Sequence, residues 1–252
     1  MMNELLEKIF STGEFVNKKR EPVKIHSETP KYQCEFLQQL IRENQCSRSI
    51  EIGFAYGLST LAITEQITKN GGIHLVIDPF EYEHWEGNGL DLIEQAGYLP
   101  SLTFVEDFSY KVLPELLKQE KQFDFAYIDS TKVFDFLMVD FFYLDKIMAK
   151  NGIIVFDDVN FPGIRKLLRL IAQFPHYEVL SQTPVNPEGP KAHNINSIIK
   201  KLPRVNTYLK QKVKSLINLE LLKDAKLGIN NHCVALRKID SDHRNWYWHL
   251  EF

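Results

Sequence analysis

Apolar and polar positions along this chain fall into short blocks of two kinds. Between residues 48 and 159 lie five apolar runs, RSIEIG, IHLVIDPF, LTFVED, FDFAYIDS and GIIVFDDV. Runs of this length, apolar at successive positions, suit strands covered on both faces of a sheet. Between and after them lie GLSTLAITEQIT, YKVLPELLKQ, TKVFDFLMVDFFYLDKIMAK and PGIRKLLRLIAQF, which read as helices. Pro114 starts or interrupts the second of these. HYEVL and HCVALRKI predict two closing strands. Strands and helices alternating in this way predict the α/β class, with a doubly wound, mostly parallel sheet of seven strands.

Two segments fall outside that alternation, although residues 1–252 read as a single domain. Residues 1–46 form an N-terminal helical region. It has a short amphipathic start, a polar loop EPVKIHSETP, and a helix over Lys31 to Asn44 with Phe36, Leu37, Leu40 and Ile41 at helical spacing. Residues 183–230 form an insertion before the last strand, loop first and then helix. Long structureless loops are rare inside compact domains. This one holds eight Lys and one Arg between Lys191 and Lys226, which fits a lid, a dimer arm or a solvated excursion.

Composition narrows the function classes. A net charge of −3 excludes a generally basic nucleic-acid binder. The apolar runs are too short to span a bilayer, and MMNELLEKIFSTGEF lacks the basic and apolar parts of a signal peptide. Cys34, Cys46 and Cys233 stand far apart with no C-x-x-C, so neither a disulfide framework nor a cysteine zinc site is expected. The simplest setting is a reducing, cytoplasmic one.

In an open parallel sheet ligands bind beyond the carboxyl ends of the strands, so the residues ending each run matter most. The first ends in Glu51-Ile52-Gly53-Phe54-Ala55-Tyr56-Gly57-Leu58-Ser59, where Gly53 and Gly57 bracket a turn that lets backbone approach a ligand. It is neither G-x-G-x-x-G nor a P-loop. The second ends in Asp78, an acid placed to accept hydrogen bonds from the two hydroxyls of a ribose. The third ends beside Phe108 and Ser109, placed to pack on and bond the base of the same nucleoside. The fourth ends in Asp129 with Lys132 close by, and the fifth in Asp157-Asp158. Three carboxylates at neighbouring strand ends need a cation, a lysine or a proton to coexist. They suit Mg²⁺ or another divalent ion, with Lys132 as base or counter-charge; equally, the Asp pair could bind backbone amides or a substrate amine.

The ordered set EIGFAYGLST, VIDPF, FVEDFSYKVLP, FDFAYIDSTK and GIIVFDDVNFPG, over residues 48 to 164, resembles the class I S-adenosylmethionine-dependent methyltransferases, O-methyltransferase-like. The resemblance implies the Rossmann-like methyltransferase fold and S-adenosylmethionine as cofactor. Glu51, Gly53, Gly57 and Ser59 would surround its methionine part, Asp78 its ribose, and Phe108 and Ser109 its adenine, with Asp129 adjacent. In the metal-dependent catechol and caffeoyl-coenzyme A type, an aspartate ends the fourth strand and an Asp-Asn pair the fifth. Asp129, Asp157 and Asp158 take those places as the implied metal ligands, and Lys132 that of the catalytic lysine. Asp158 departs from the usual asparagine. A broader bacterial branch is also similar, through DPFEYEHWEGNG and RNWYWHLEF, although Lys132 replaces its usual histidine. In that stretch His84 and Trp85 are candidates to line a substrate pocket, as is His26 in the loop before the first core helix.

These features imply methyl transfer to a small-molecule acceptor, most simply a hydroxyl, with no nucleic-acid or membrane partner and a homodimer as the default assembly. The alternatives are a nucleotide-dependent oxidoreductase on a similar sheet and a non-catalytic interaction domain using the basic insertion.

Overall fold

All seven expected strands pair into one sheet. The structure, a computed structural model, describes residues 2–26, 29–183, 224 and 231–249. Nearly all of the expected insertion, including its basic part, lies outside the described residues.

The chain begins with helix α1 (Glu4–Thr12), capped by the Asn3 side chain, which accepts from Leu5 N at 2.9 Å. The stretch after α1 departs from the expected loop. Strands β1 (Glu14–Val16) and β2 (Pro22–Lys24) form a separate antiparallel hairpin, so residues 1–46 are not purely helical. Three-residue strands alternating around a basic turn carry too little pattern to stand out from a loop. Helix α2 (Lys31–Glu43) then forms as expected.

The core alternates strand and helix: β3 (Arg48–Ile52), α3 (Leu58–Lys69), β4 (Ile73–Ile77), short α4 (Glu81–Trp85), α5 (Asn88–Gln95) and β5 (Leu102–Val105). Then come α6 (Ser109–Lys118), β6 (Phe123–Ile128), α7 (Phe134–Ile147), β7 (Met148–Phe156), α8 (Pro162–Ile171), β8 (Tyr177–Gln182) and β9 (Val234–Lys238). Helix α6 runs through Pro114 rather than starting at it. The order across the sheet is β5-β4-β3-β6-β7-β9-β8. Strands β5 to β7 are parallel, and β9 lies antiparallel between β7 and β8.

The apolar runs are continuous because both faces are covered. On β6, Ala126 and Ile128 pack into one core with α6, α7 and α8, while Phe125 and Tyr127 pack into the other with α2 and α3. Helix α3 is buried at ten successive positions, which explains its weak amphipathic pattern.

Helices α4 and α5 meet through a buried acid. Glu81 is fully buried; its Oε1 accepts from the N–H groups of Gly89 at 2.8 Å and Leu90 at 3.2 Å, while Oε2 has no partner. Burial pushes its carboxyl from the ordinary 4.5 up to about 8, against those two bonds. A folded-state value above the unfolded one means that the protonated form supports the fold. That contribution is complete below about pH 4.5 and is lost as pH rises through about 8. Urea midpoints are therefore expected to fall across this window more steeply in the wild type than in Glu81→Gln. Parallel pH profiles for the two proteins would remove Glu81 as the cause.

Candidate active site

The sheet changes direction at β3. From there the chain crosses to β4 on one side, and β6 later takes the other side. This switch point leaves a crevice at the carboxyl ends of the strands. Ladder bonds carry four of the parallel strands one residue past their ends: Gly53 N–H to Ile77 O, Asp78 N–H to Val105 O, Asp129 N–H to Ile52 O, and Asp157 N–H to Ile128 O. Gly53, Asp78, Asp129 and Asp157 therefore stand in one row, and all four line a cavity of about 650 Å³.

Gly53 has φ +103°, and a Cβ there would lie 2.0 Å from the Asp129 carbonyl oxygen. The two strand tips thus meet backbone to backbone. Asp78 is 7% exposed and is aimed by two backbone amides: Phe54 N–H donates to Oδ2 and Phe80 N–H to Oδ1, both at 2.8 Å. Each oxygen keeps a lone pair for a ligand in the cavity. Phe108, at the start of α6, forms an aromatic wall with Phe80 (5.7 Å, edge to face) and Tyr110 (5.2 Å, stacked). Gly57, Ser59 and Ser109 also line the cavity.

Glu51 stands apart from the other residues expected around the cofactor. It is fully buried beneath the turn and does not line the cavity. Its oxygens accept from Ser59 Oγ at 2.6 Å and Thr60 Oγ1 at 2.7 Å, and His74 Nε2 lies at 2.9 Å. The carboxylate thereby ties the first turn of α3 to the sheet.

At the other end of the row two basic side chains lie among the carboxylates, Lys132 between Asp129 and Asp158 and His232 beside Asp157 and Asp158. Lys132 Nζ bridges Asp129 Oδ1 and Asp158 Oδ2, each at 2.8 Å. Asp157 is 5% exposed and sits among donors. Tyr127 OH bonds its Oδ2 at 2.7 Å; Asp158 N–H at 2.7 Å and the Gln33 amide bond Oδ1, where His232 Nδ1 lies at 3.2 Å. Burial raises Asp157, but the bonds from His232 and Tyr127 outweigh it and hold the carboxyl below the ordinary range. Burial also raises Asp129, with the Asp157 charge beside it, to about 7 despite Lys132. Burial lowers Lys132, yet Asp129 and Asp158 more than offset this and hold the ammonium above its usual value. The bond to Asp157 raises His232.

His232 and Gln33 line the cavity and were not among the expected residues. Only the sheet order shows that a residue two positions before an antiparallel last strand lands beside the tip of β7. Of the three substrate candidates, His84 and Trp85 line the main cavity. His26 sits one layer back, its Nε2 2.6 Å from Tyr56 OH, in an adjoining cavity of about 300 Å³.

Residues 50–159 match the family model of a methyltransferase domain. The chain is 30% identical over 152 residues to caffeoyl-CoA O-methyltransferase 1 of Zea mays, covering 56% of this chain and 57% of that protein. It spans about half the length of the curated relatives it matches. Among solved structures it is similar to an O-methyltransferase from Bacillus cereus in complex with S-adenosylhomocysteine. The TM-score is 0.60 and the identity 21%, over 74% of this chain and 86% of that one. It is also similar to the O-methyltransferase TomG of Streptomyces achromogenes, involved in tomaymycin synthesis and solved with S-adenosylmethionine. There the TM-score is 0.57 and the identity 19%, over 74% and 85% of the two chains. These two likenesses concern the fold. The match over residues 50–159, which hold the strand tips lining the cavity, is to a methyltransferase domain, and the solved structures share its fold.

Proposed function

We propose that the protein transfers a methyl group from S-adenosylmethionine to a hydroxyl of a small molecule. The observation that carries this reading is Asp78. It is a buried acid aimed by two backbone amides, with lone pairs left over, beside the Gly53 turn at the switch point. That is the chemistry a ribose diol needs. Gly53, Gly57 and Ser59 would lie along the methionine part, and Phe108 and Ser109 along the adenine. Glu51 would act by holding Ser59 and Thr60 rather than by contact. When bound, the cofactor supplies a methyl group on a positively charged sulfur. A nicotinamide oxidoreductase is not favoured, because the turn lacks the glycine fingerprint for a pyrophosphate.

Asp129 and Lys132 divide the work at the acceptor end. Asp129, raised to about 7, takes the proton of the acceptor hydroxyl. The ammonium of Lys132 steadies the developing negative oxygen. The new O–C bond forms as the C–S bond breaks, and the electron pair of that bond stays on sulfur. Carboxylate, hydroxyl and sulfonium thus become carboxylic acid, methyl ether and neutral thioether, and charge balances. The cavity walls hold the acceptor against the methyl group, and such positioning contributes several of the roughly 7–11 kcal/mol seen for ideal intramolecular pairs. His84 and Trp85 are the candidates for its outer wall, with His26 behind them acting through Tyr56.

Calorimetric titration with S-adenosylhomocysteine tests the reading. Wild type is expected to bind, and Asp78→Ala to bind about 10- to 100-fold more weakly, since each charge-assisted bond is worth about 1.5–3 kcal/mol. Unchanged affinity in a folded variant would take the ribose away from Asp78, and no binding by the wild type would end the methyltransferase reading.

A divalent cation, implied by the resemblance, meets a donor set that does not fit it. Asp129 and Asp158 are joined by an ammonium, and Asp157 already has three partners on Oδ1 and one on Oδ2. No step above runs through a metal. Among the described residues no helix is long and apolar enough to cross a membrane. The basic insertion invoked by the interaction-domain alternative lies almost wholly outside those residues.

A further inference from the structure

We infer that the cation at the reacting end of this cavity is the ammonium of Lys132, and that the chain works without a bound divalent ion. The inference rests on the methyl-transfer reading. It departs from the metal dependence that the sequence resemblance implies.

Three observations carry it. First, the expected trio is not gathered around one point. Among the described residues, the side chains at this site whose donor atoms lie within 4.8 Å of one another are Asp157, Asp158 and His232, and Asp129 is not among them. A small divalent ion such as Mg²⁺ holds oxygens at about 2.0–2.1 Å and tolerates little departure from an octahedron. Second, both oxygens of Asp157 already have partners. Asp157 Oδ1 faces the Gln33 amide, Asp158 N–H and His232 Nδ1, and Oδ2 accepts from Tyr127 OH. Tyr127 and Gln33 are themselves fully buried, so these two donors are not surface groups that can turn to water. Third, the charge is already met. Asp129 and Asp158 share the Lys132 ammonium at 2.8 Å each. A divalent ion would have to displace that ammonium into a cavity where its side chain is only 26% exposed. It would then leave a lysine and a dication side by side.

Lys132 is therefore placed where a metal would otherwise stand, between the strand tip that carries the proposed base and the tip of β7. Its three donors serve Asp129 and Asp158 and leave one for the acceptor oxygen.

The test is a metal titration of the chelator-treated full chain, following the electron paramagnetic resonance signal of free Mn²⁺, with Mg²⁺ and Zn²⁺ added as competitors. Affinity for S-adenosylhomocysteine is measured in parallel, with and without EDTA. The expected result is no stoichiometric Mn²⁺ site tighter than about 1 mM and the same S-adenosylhomocysteine affinity in either buffer. Lys132→Ala frees the two carboxylates and is expected to bind Mn²⁺ at least about 10-fold more tightly than the wild type. A stoichiometric site in the wild type that Asp158→Ala removes would overturn the inference. A folded Lys132→Ala protein that binds no better than the wild type would show that Lys132 is not what keeps the ion out. If that variant does not fold, the wild-type titration alone decides. Failure of S-adenosylhomocysteine to bind at all is a separate result, which removes the methyltransferase reading and leaves the metal titration standing.

Discussion

Asp129→Asn is expected to lower the turnover of methyl transfer by about 100- to 10,000-fold, the range spanned by loss of a general base, while S-adenosylhomocysteine binds within a few-fold of wild type. Asparagine keeps the shape and the hydrogen-bonding oxygen. Lys132 keeps Asp158, and the contact between Gly53 and residue 129 is made by backbone, which the substitution leaves alone. What is lost is the ability to accept a proton. The pH profile sharpens the test. A base must be ionised to work, so kcat/KM of the wild type is expected to rise with pH through about 7 and then level. The side chain retains 30% exposure to the cavity, and an acceptor that dries the cavity moves this limb upward. In Asp129→Asn the limb should disappear. If the variant keeps full turnover and the same rising limb, the proton goes elsewhere, and His232 beside Asp157 is then the group to replace next.

Gly53→Ala is expected to destabilise the protein by about 3 kcal/mol or more, read as a drop in the urea midpoint. Two effects add. A φ of +103° is costly for any side chain, and the new methyl group would lie 2.0 Å from Asp129 O and 2.8 Å from its carbonyl carbon. Separating the two tips would break the ladder bond from Asp129 N–H to Ile52 O. Gly97→Ala is the control. It also has positive φ, at +80°, but nothing lies within 4 Å of its would-be Cβ, so it should cost only about 1–2 kcal/mol. Equal losses in the two variants would show that the approach of the tips is not what demands glycine. The surviving folded fraction of Gly53→Ala is also expected to bind S-adenosylhomocysteine poorly, because the turn is displaced.

The seven strands were legible in the sequence because a strand covered on both faces has no polar side to interrupt it. The row Gly53, Asp78, Asp129 and Asp157 was legible because each ends such a run. Glu51 was misleading for a physical reason. It lies on the face of β3 opposite Ile50 and Ile52, and its partners, Ser59 and Thr60 on α3 and His74 on β4, are in place only once the helix folds back. A signal existed in the paired hydroxyls eight and nine residues on. His232 and Gln33 were silent, since each reaches the cavity through the order of strands and the packing of α2 rather than through local pattern. Helices α4 and α5 were also missed. They are short, and Gly87 and Gly89 break the periodicity between them.

Strand β9 runs against its neighbours, so the chain enters it at the cavity end of the sheet. The two ends of the intervening segment are stitched together there: Thr183 N–H bonds Cys233 O at 3.0 Å and Cys233 N–H bonds Thr183 Oγ1 at 3.2 Å. The described chain thus leaves the sheet at Thr183 and re-enters it at Cys233, next to His232. Between two ends tied together in this way, doubling the length of a loop costs only about 0.6 kcal/mol in closure entropy. The length of chain between Thr183 and Cys233 can therefore change without shifting the register of any strand that holds the chemistry.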